Sequence, residues 1–128
     1  MAKEVLINDG GAPARIYPFI ADAVITAGMV LKVDSDGEVL AATAGTLPIV
    51  GVALTDAPAV GDMVNVVAGR GVILNVLCKD EAAGVTMMVD TSGTAGTLDA
   101  VGATTDHPVA ITLENNSGDD VLTKCMLL

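Results

Sequence analysis

Short apolar runs separated by turn chemistry, repeated along most of the chain, constrain this sequence more than any other feature. From Thr26 onward the runs cover 29–33, 38–42, 48–54, 63–68, 72–77, 85–89, 97–101, 108–113 and 121–128. Between them lie Asp34-Ser-Asp-Gly37, Asp56-Ala-Pro-Ala-Val-Gly61, Gly69-Arg-Gly71, Thr91-Ser-Gly93 and Asn115-Asn-Ser-Gly-Asp119. Asp, Asn, Ser and Gly stand at such places because they tolerate positive φ or hydrogen-bond their own backbone. Strand-length runs spaced about ten residues apart indicate a barrel or sandwich. No segment sustains a helical period; the best helix candidate, 80–83, is one turn at most. The expected fold is all-β, a small β-barrel or β-tulip-like domain.

Composition narrows the core. Apolar residues make up 52% of the chain, yet there is no Trp, one Tyr and one Phe. The interior must therefore be built from Val, Leu, Ile, Ala and Met, and Val packs well on a pleated surface. A chain of 128 residues buries roughly two-thirds of its unfolded surface and needs no metal or disulfide to hold one domain. Cys78 and Cys125 show no metal-ligand spacing and read as reduced, buried small hydrophobes.

A faint internal duplication accompanies the turn pattern. Ala27-Gly-Met-Val-Leu-Lys-Val-Asp34 aligns with Ala83-Gly-Val-Thr-Met-Met-Val-Asp90, and Val50-Gly-Val-Ala-Leu54 parallels Val109-Ala-Ile-Thr-Leu113. Gly61-Asp62-Met-Val echoes Asp119-Asp120-Val-Leu. Two related β-units closing into one barrel would produce these echoes.

Residues 1–25 differ from the body at 26–128. They hold Pro13, Pro18, the Gly10-Gly11 pair and both aromatics, Tyr17 and Phe19. The prolines argue against a helix or a central strand. The segment reads as an extended N-terminal arm with two apolar stretches, Val5-Leu6-Ile7 and Ile16-Tyr17-Pro18-Phe19-Ile20, the second preceded by Arg15. Two readings stand equally: a peripheral strand packed on the chain's own core, or an arm that docks on another chain through its aromatics.

The charge excludes several classes of function. Net charge is −10, and the six basic residues, Lys3, Arg15, Lys32, Arg70, Lys79 and Lys124, are scattered. Nucleic acid requires a basic stripe, and anionic membranes repel such a chain. The start lacks a signal-peptide core, and 63–78 is broken by Asn65, Arg70 and Asn75, so synthesis and use on the cytoplasmic side are expected.

The chain carries few residues with catalytic or metal-binding chemistry. His107, the one histidine, sits in Thr105-Asp-His-Pro108 and reads as turn decoration. Without a second histidine there is no His-based metal cluster, and no GxSxG elbow is present. Gly69-Arg-Gly71 continues into Val-Ile-Leu, so it is no dinucleotide fingerprint, and no phosphate-binding GxxxxGK[ST] occurs. Placing Gly37 at the sixth position of a calcium loop puts Lys32 first and Thr43 twelfth, both wrong for ligands; 34–38 reads as a hairpin turn. The expectation is no enzyme, no cofactor and no metal site. The rivals are a surface module binding glycan, which the lack of aromatics in the body disfavours, and a β-trimer sharing an active site, for which Arg70 is the residue to watch.

The run Thr26-Ala-Gly-Met-Val-Leu-Lys-Val, a turn, Glu38-Val-Leu-Ala-Ala, Ile49-Val-Gly-Val-Ala-Leu, Gly61-Asp-Met-Val-Asn-Val-Val and Gly71-Val resembles the small capsid cement proteins of tailed phages. Over about 27–77 it is similar to lambda-type head-decoration proteins, departing from them in having no tryptophan and in repeating its first half. The resemblance implies a β-tulip forming a homotrimer at three-fold positions on the outer surface of the capsid. Its partner would be the major capsid protein, contacted through Val5, Leu6, Ile7, Arg15, Ile16, Tyr17, Phe19 and Ile20. In that mode an arm adds a strand to a neighbouring sheet.

Overall fold

The computed structural model describes Val5 and residues 14–43, 49–89, 95–100 and 108–128, and all statements below concern these. Ten strands run in chain order: β1 (Arg15–Ile20), β2 (Val30–Val33), β3 (Val39–Ala41), β4 (Ile49–Ala53), β5 (Met63–Ala68), β6 (Ile73–Cys78), β7 (Thr86–Val89), β8 (Leu98–Ala100), β9 (Ala110–Thr112) and β10 (Val121–Leu127). There is no helix among the described residues, as the absent helical period required.

The strands form two five-stranded units with the same connectivity. The first has the order β1-β5-β4-β2-β3, and the second, β10-β6-β8-β7-β9, closes as a barrel. Leu31 on β2 faces Gly51 and Ala41, and Met87 on β7 faces Ala110 and Ala100 in the matching places. Closure in the second unit is a parallel pairing of Cys78 with Leu98. The first unit carries the same contact as a parallel bridge between Ala21 and Val39. The next N–H then donates alike in each unit, Asp22 to the Val39 carbonyl and Lys79 to the Leu98 carbonyl, both at 2.8 Å. The duplication expected from sequence is therefore present strand for strand, with one change of register. Gly61 (φ 94°) corresponds to Asp120 (φ 56°) rather than to Asp119, since each enters β5 or β10 through a left-handed residue.

Alternation along the strands splits the side chains between two cores. In the first unit Leu31, Val39, Ala53, Val64 and Val66 point inward with Ala21 and Ile25. Val30, Val52 and Val67, one residue over on the same strands, join Leu74, Val76, Met87, Leu98 and Cys125 of the second unit. That second core fuses the halves. Burying each such Val or Leu fully contributes about 1.5–3 kcal/mol. Backbone bonds cross the junction too: Val30 N–H donates to the Gly96 carbonyl (2.8 Å) and Gly96 N–H to the Ala42 carbonyl (2.8 Å).

The division into an arm at 1–25 and a body at 26–128 does not match this architecture. β1 pairs with β5 at every position from Arg15–Ala68 to Ile20–Met63, so 15–20 belongs to the first sheet. Pro18 is tolerated because β1 is an edge strand, where a missing N–H can face away from the ladder. Val5 enters the second core at 4% exposure, and its carbonyl accepts from Asn75 N–H at 2.6 Å.

Candidate interaction surface

β1 brings together most of the described residues that the sequence singled out. Arg15, Ile16, Tyr17 and Ile20 are exposed on it, whereas Phe19 is half-buried and packs against the first core. Val5 is not on this strand; it is buried in the core that the two units share. Leu6 and Ile7 lie outside the described residues, as does His107.

Beyond β1 the exposed apolar surface continues to residues not singled out from sequence. Ile20 faces Met63 across the β1–β5 ladder, and Met63 is 63% exposed, Val60 65% and Val24 61%. Val60 sits one residue before Gly61, whose N–H donates to the Ala21 carbonyl at 2.8 Å. Val24 precedes Ile25, which bridges to Ala57. Ile20, Met63, Val60 and Val24 thus crowd one end of the first unit. Apolar strand positions signal burial, and only the fold separates burial in a core from burial against a partner.

At the other end of β1, Arg15 and Tyr17 border a depression with Ala68, Gly69 and Arg70. Two of the six basic residues of an acidic chain therefore share one rim. Arg70 also lines a cleft of about 300 Å³ with Val50, Gly51, Pro108 and Leu128. This arrangement offers an anionic or carbonyl partner a cation beside an apolar wall.

The acidic turn is explained by its own backbone. Asp34 Oδ1 accepts from Asp36 N–H (2.8 Å) and Glu38 N–H (3.0 Å), and Gly37 takes φ 79°, an Asx-turn that joins β2 to β3. Asp22, Asp34 and Glu38 each place an oxygen within 4.8 Å of the others, and the trio is the one group among the described residues able to offer three such ligands to a cation. A hydrogen bond to Asp34, then burial and the neighbouring carboxylates, hold Asp22 above its ordinary pKa. Partial burial pushes Asp34 upward, but the N–H groups of Glu38 and Asp36 outweigh it and the net displacement is downward. Elsewhere, Asp120 pairs with Lys79 at 3.2 Å, and Asp119 Oδ1 accepts from Asp80 N–H at 3.3 Å.

The described residues define a small all-β domain of two related five-stranded units, the second closed as a barrel. No protein-family model and no curated protein matches the chain. Among solved structures it is similar to the N base of the head fiber protein gp8.5 of bacteriophage phi29, with a TM-score of 0.70 and 17% identity. The likeness covers 91% of this chain and 95% of that one, so it extends across both units. At that identity it is a likeness of fold.

Proposed function

We propose that this chain is a non-catalytic structural protein of a phage head. It acts as a decoration (cement) protein that trimerises, binds the major capsid protein on the outer surface of the virion and bridges coat subunits at three-fold positions. The observation that carries the reading is the shared two-unit fold with a phage head fiber base along nearly the whole of both chains. A fold alone does not define a function, but three further features agree with it. The exposed edge strand β1 presents Arg15, Ile16, Tyr17 and Ile20 for strand-to-strand or side-chain contact. The charge of −10 keeps many free copies apart and away from packaged nucleic acid. Modest contacts, repeated over a symmetric lattice, add by multivalency.

The test is co-sedimentation with expanded capsids, comparing the wild type with Arg15→Glu and Tyr17→Ala. Point substitutions are needed because deleting 1–25 would remove β1 from its sheet. Pelleting with capsids that falls at least tenfold in both variants supports cementing through β1. A wild type that remains in the supernatant at all concentrations sinks the capsid reading and returns the chain to the glycan-binding alternative.

A further inference from the structure

The halves of this molecule meet through a directional contact. Leu77 N–H on β6 donates to the Gly28 carbonyl of the first unit at 3.0 Å. Gly28 lies so close to the second unit that a Cβ there would collide with Leu122 Cδ2 and stand 3.6 Å from Leu77 Cγ. On the same seam Gly96 of the second unit would meet Met29 Cβ of the first at 3.0 Å. The seam therefore joins unlike faces: a front on the first unit, around Gly28 and Val30, and a back on the second, around Leu77, Leu122 and Gly96.

Because the units are duplicates, each also carries the face that the other uses. The Ile20–Met63 pair of β1 and β5 holds the place of the Leu77–Leu122 pair of β6 and β10, yet Ile20 is 40% and Met63 63% exposed. Gly37, the counterpart of Gly96, would meet nothing within 4 Å. No described residue covers the first unit's back. The same is true of the second unit's front. Gly84 repeats Gly28 in conformation (φ 81° and 95°) and in bonding, its N–H donating to Thr112 as Gly28 donates to Ala53. A Cβ on Gly84 would meet nothing within 4 Å. Leu113 is 41% exposed, whereas its counterpart Leu54 packs against the shared core.

We infer that a second copy of this chain completes the seam, seating its Gly84 front on the Ile20–Met63 back of the first. The Gly84 carbonyl accepts from Ile20 N–H as Gly28 accepts from Leu77, and Leu113 covers apolar surface as Leu54 does. Pro18 fits this role. It stands where Asn75 stands in β6, and Asn75 N–H is met by the Val5 carbonyl; a proline leaves no such donor for the incoming copy to satisfy. The contact is heterologous, front to back, so it repeats until rotation closes a ring. It deepens the homotrimer part of the proposed function by naming the surface, and a trimer so built would place six like units in one ring. Binding to capsids is not required for it.

Light scattering without capsids tests the contact, using Met63→Asp to spoil the back and Leu113→Asp to spoil the front. Both side chains are exposed, and unchanged far-ultraviolet circular dichroism verifies that the variants fold. The wild type is expected at a multiple of the 12.8 kDa chain mass and each variant alone at 12.8 kDa. An equimolar mixture of the two variants is expected at twice that mass, since one intact front can still meet one intact back. A monomeric wild type, or variants that keep the wild-type mass, would overturn the inference. Variants that do not dimerise when mixed would overturn it too, because a like-to-like interface would be the source of assembly.

Discussion

Cys78 Sγ lies 3.6 Å from Cys125 Sγ in the interior of the second barrel, on neighbouring strands β6 and β10. Both cysteines are free and fully buried. The shared S–H···S contact, and then burial, push the Cys125 thiol far above its ordinary range. The thiolate is the reactive form, which disfavours Cys125, and burial shields both sulfurs from reagent, so neither is expected to react with an aromatic disulfide reagent at neutral pH while the chain is folded. Both should react promptly in guanidinium chloride. Rapid labelling of one thiol in the folded protein would show that the second barrel opens locally.

Gly51 and Gly61 separate two costs that a glycine can hide. Gly51 (φ 152°) lies in β4 where the β2–β4 register shifts between Leu31 and Lys32. A Cβ there would strike the Val67 carbonyl oxygen and come within 2.8 Å of Val66 Cγ1. Gly51→Ala therefore combines backbone strain with overpacking, and a loss of about 3 kcal/mol or more is expected in urea unfolding. Gly61 also has positive φ, but a Cβ there would meet nothing within 4 Å. Gly61→Ala should cost about 1–2 kcal/mol, the conformational term alone. Equal losses at the two sites would show that the close approach at Gly51 relaxes freely.

The contrast between those glycines indicates what the sequence could reveal. Turn residues such as Asp34 and Gly37 mark hairpins because their local chemistry acts over a few residues, and β2 and β3 fall where expected. The repeat at 27–34 and 83–90 was legible because both copies keep Ala-Gly before an apolar run. The β1–β6 correspondence was not: Arg-Ile-Tyr-Pro-Phe-Ile and Ile-Leu-Asn-Val-Leu-Cys share only apolarity. Pro18 steered residues 15–20 toward an arm, since a proline shows that a donor is missing but not which side of a strand lacks it. The exposure of Met63 and Val60 was hidden for a related reason. Strand alternation puts Met63 and Val67 on one face of β5, and only packing decides that Val67 lies in a core while Met63 lies at the surface.

The acidic turn should leave a signature in the pH dependence of stability. Asp22 is held above the ordinary carboxylate range by its hydrogen bond to Asp34, so on acidification the folded chain takes up that proton before the unfolded chain does. Stability associated with Asp22 is therefore gained as the pH falls through its raised value. Asp34, displaced downward, withdraws its contribution only as the pH falls below the ordinary carboxylate range. Asp22→Asn keeps a donor facing Asp34 without the charge. The variant should melt higher than the wild type at neutral pH, and the difference should shrink toward zero by about pH 3. A constant difference across that span would show that Asp22 and Asp34 do not share a proton.

Thr97 lies at the seam between the units. It follows Gly96, whose N–H and carbonyl both bond across to the first unit, and it is fully buried with no partner for Oγ1 among the described residues. A buried hydroxyl without a bond forfeits its hydration and gains nothing in return, a penalty of about 1–3 kcal/mol. Valine fills nearly the same volume without the polar atom. Thr97→Val is thus expected to stabilise the chain by about 1 kcal/mol and to raise its melting temperature by roughly 3–5 °C for a domain of this size. Calorimetry of the two proteins decides the matter. A lower melting temperature for the valine variant would mean that the hydroxyl is bonded in the folded chain and helps to hold the seam.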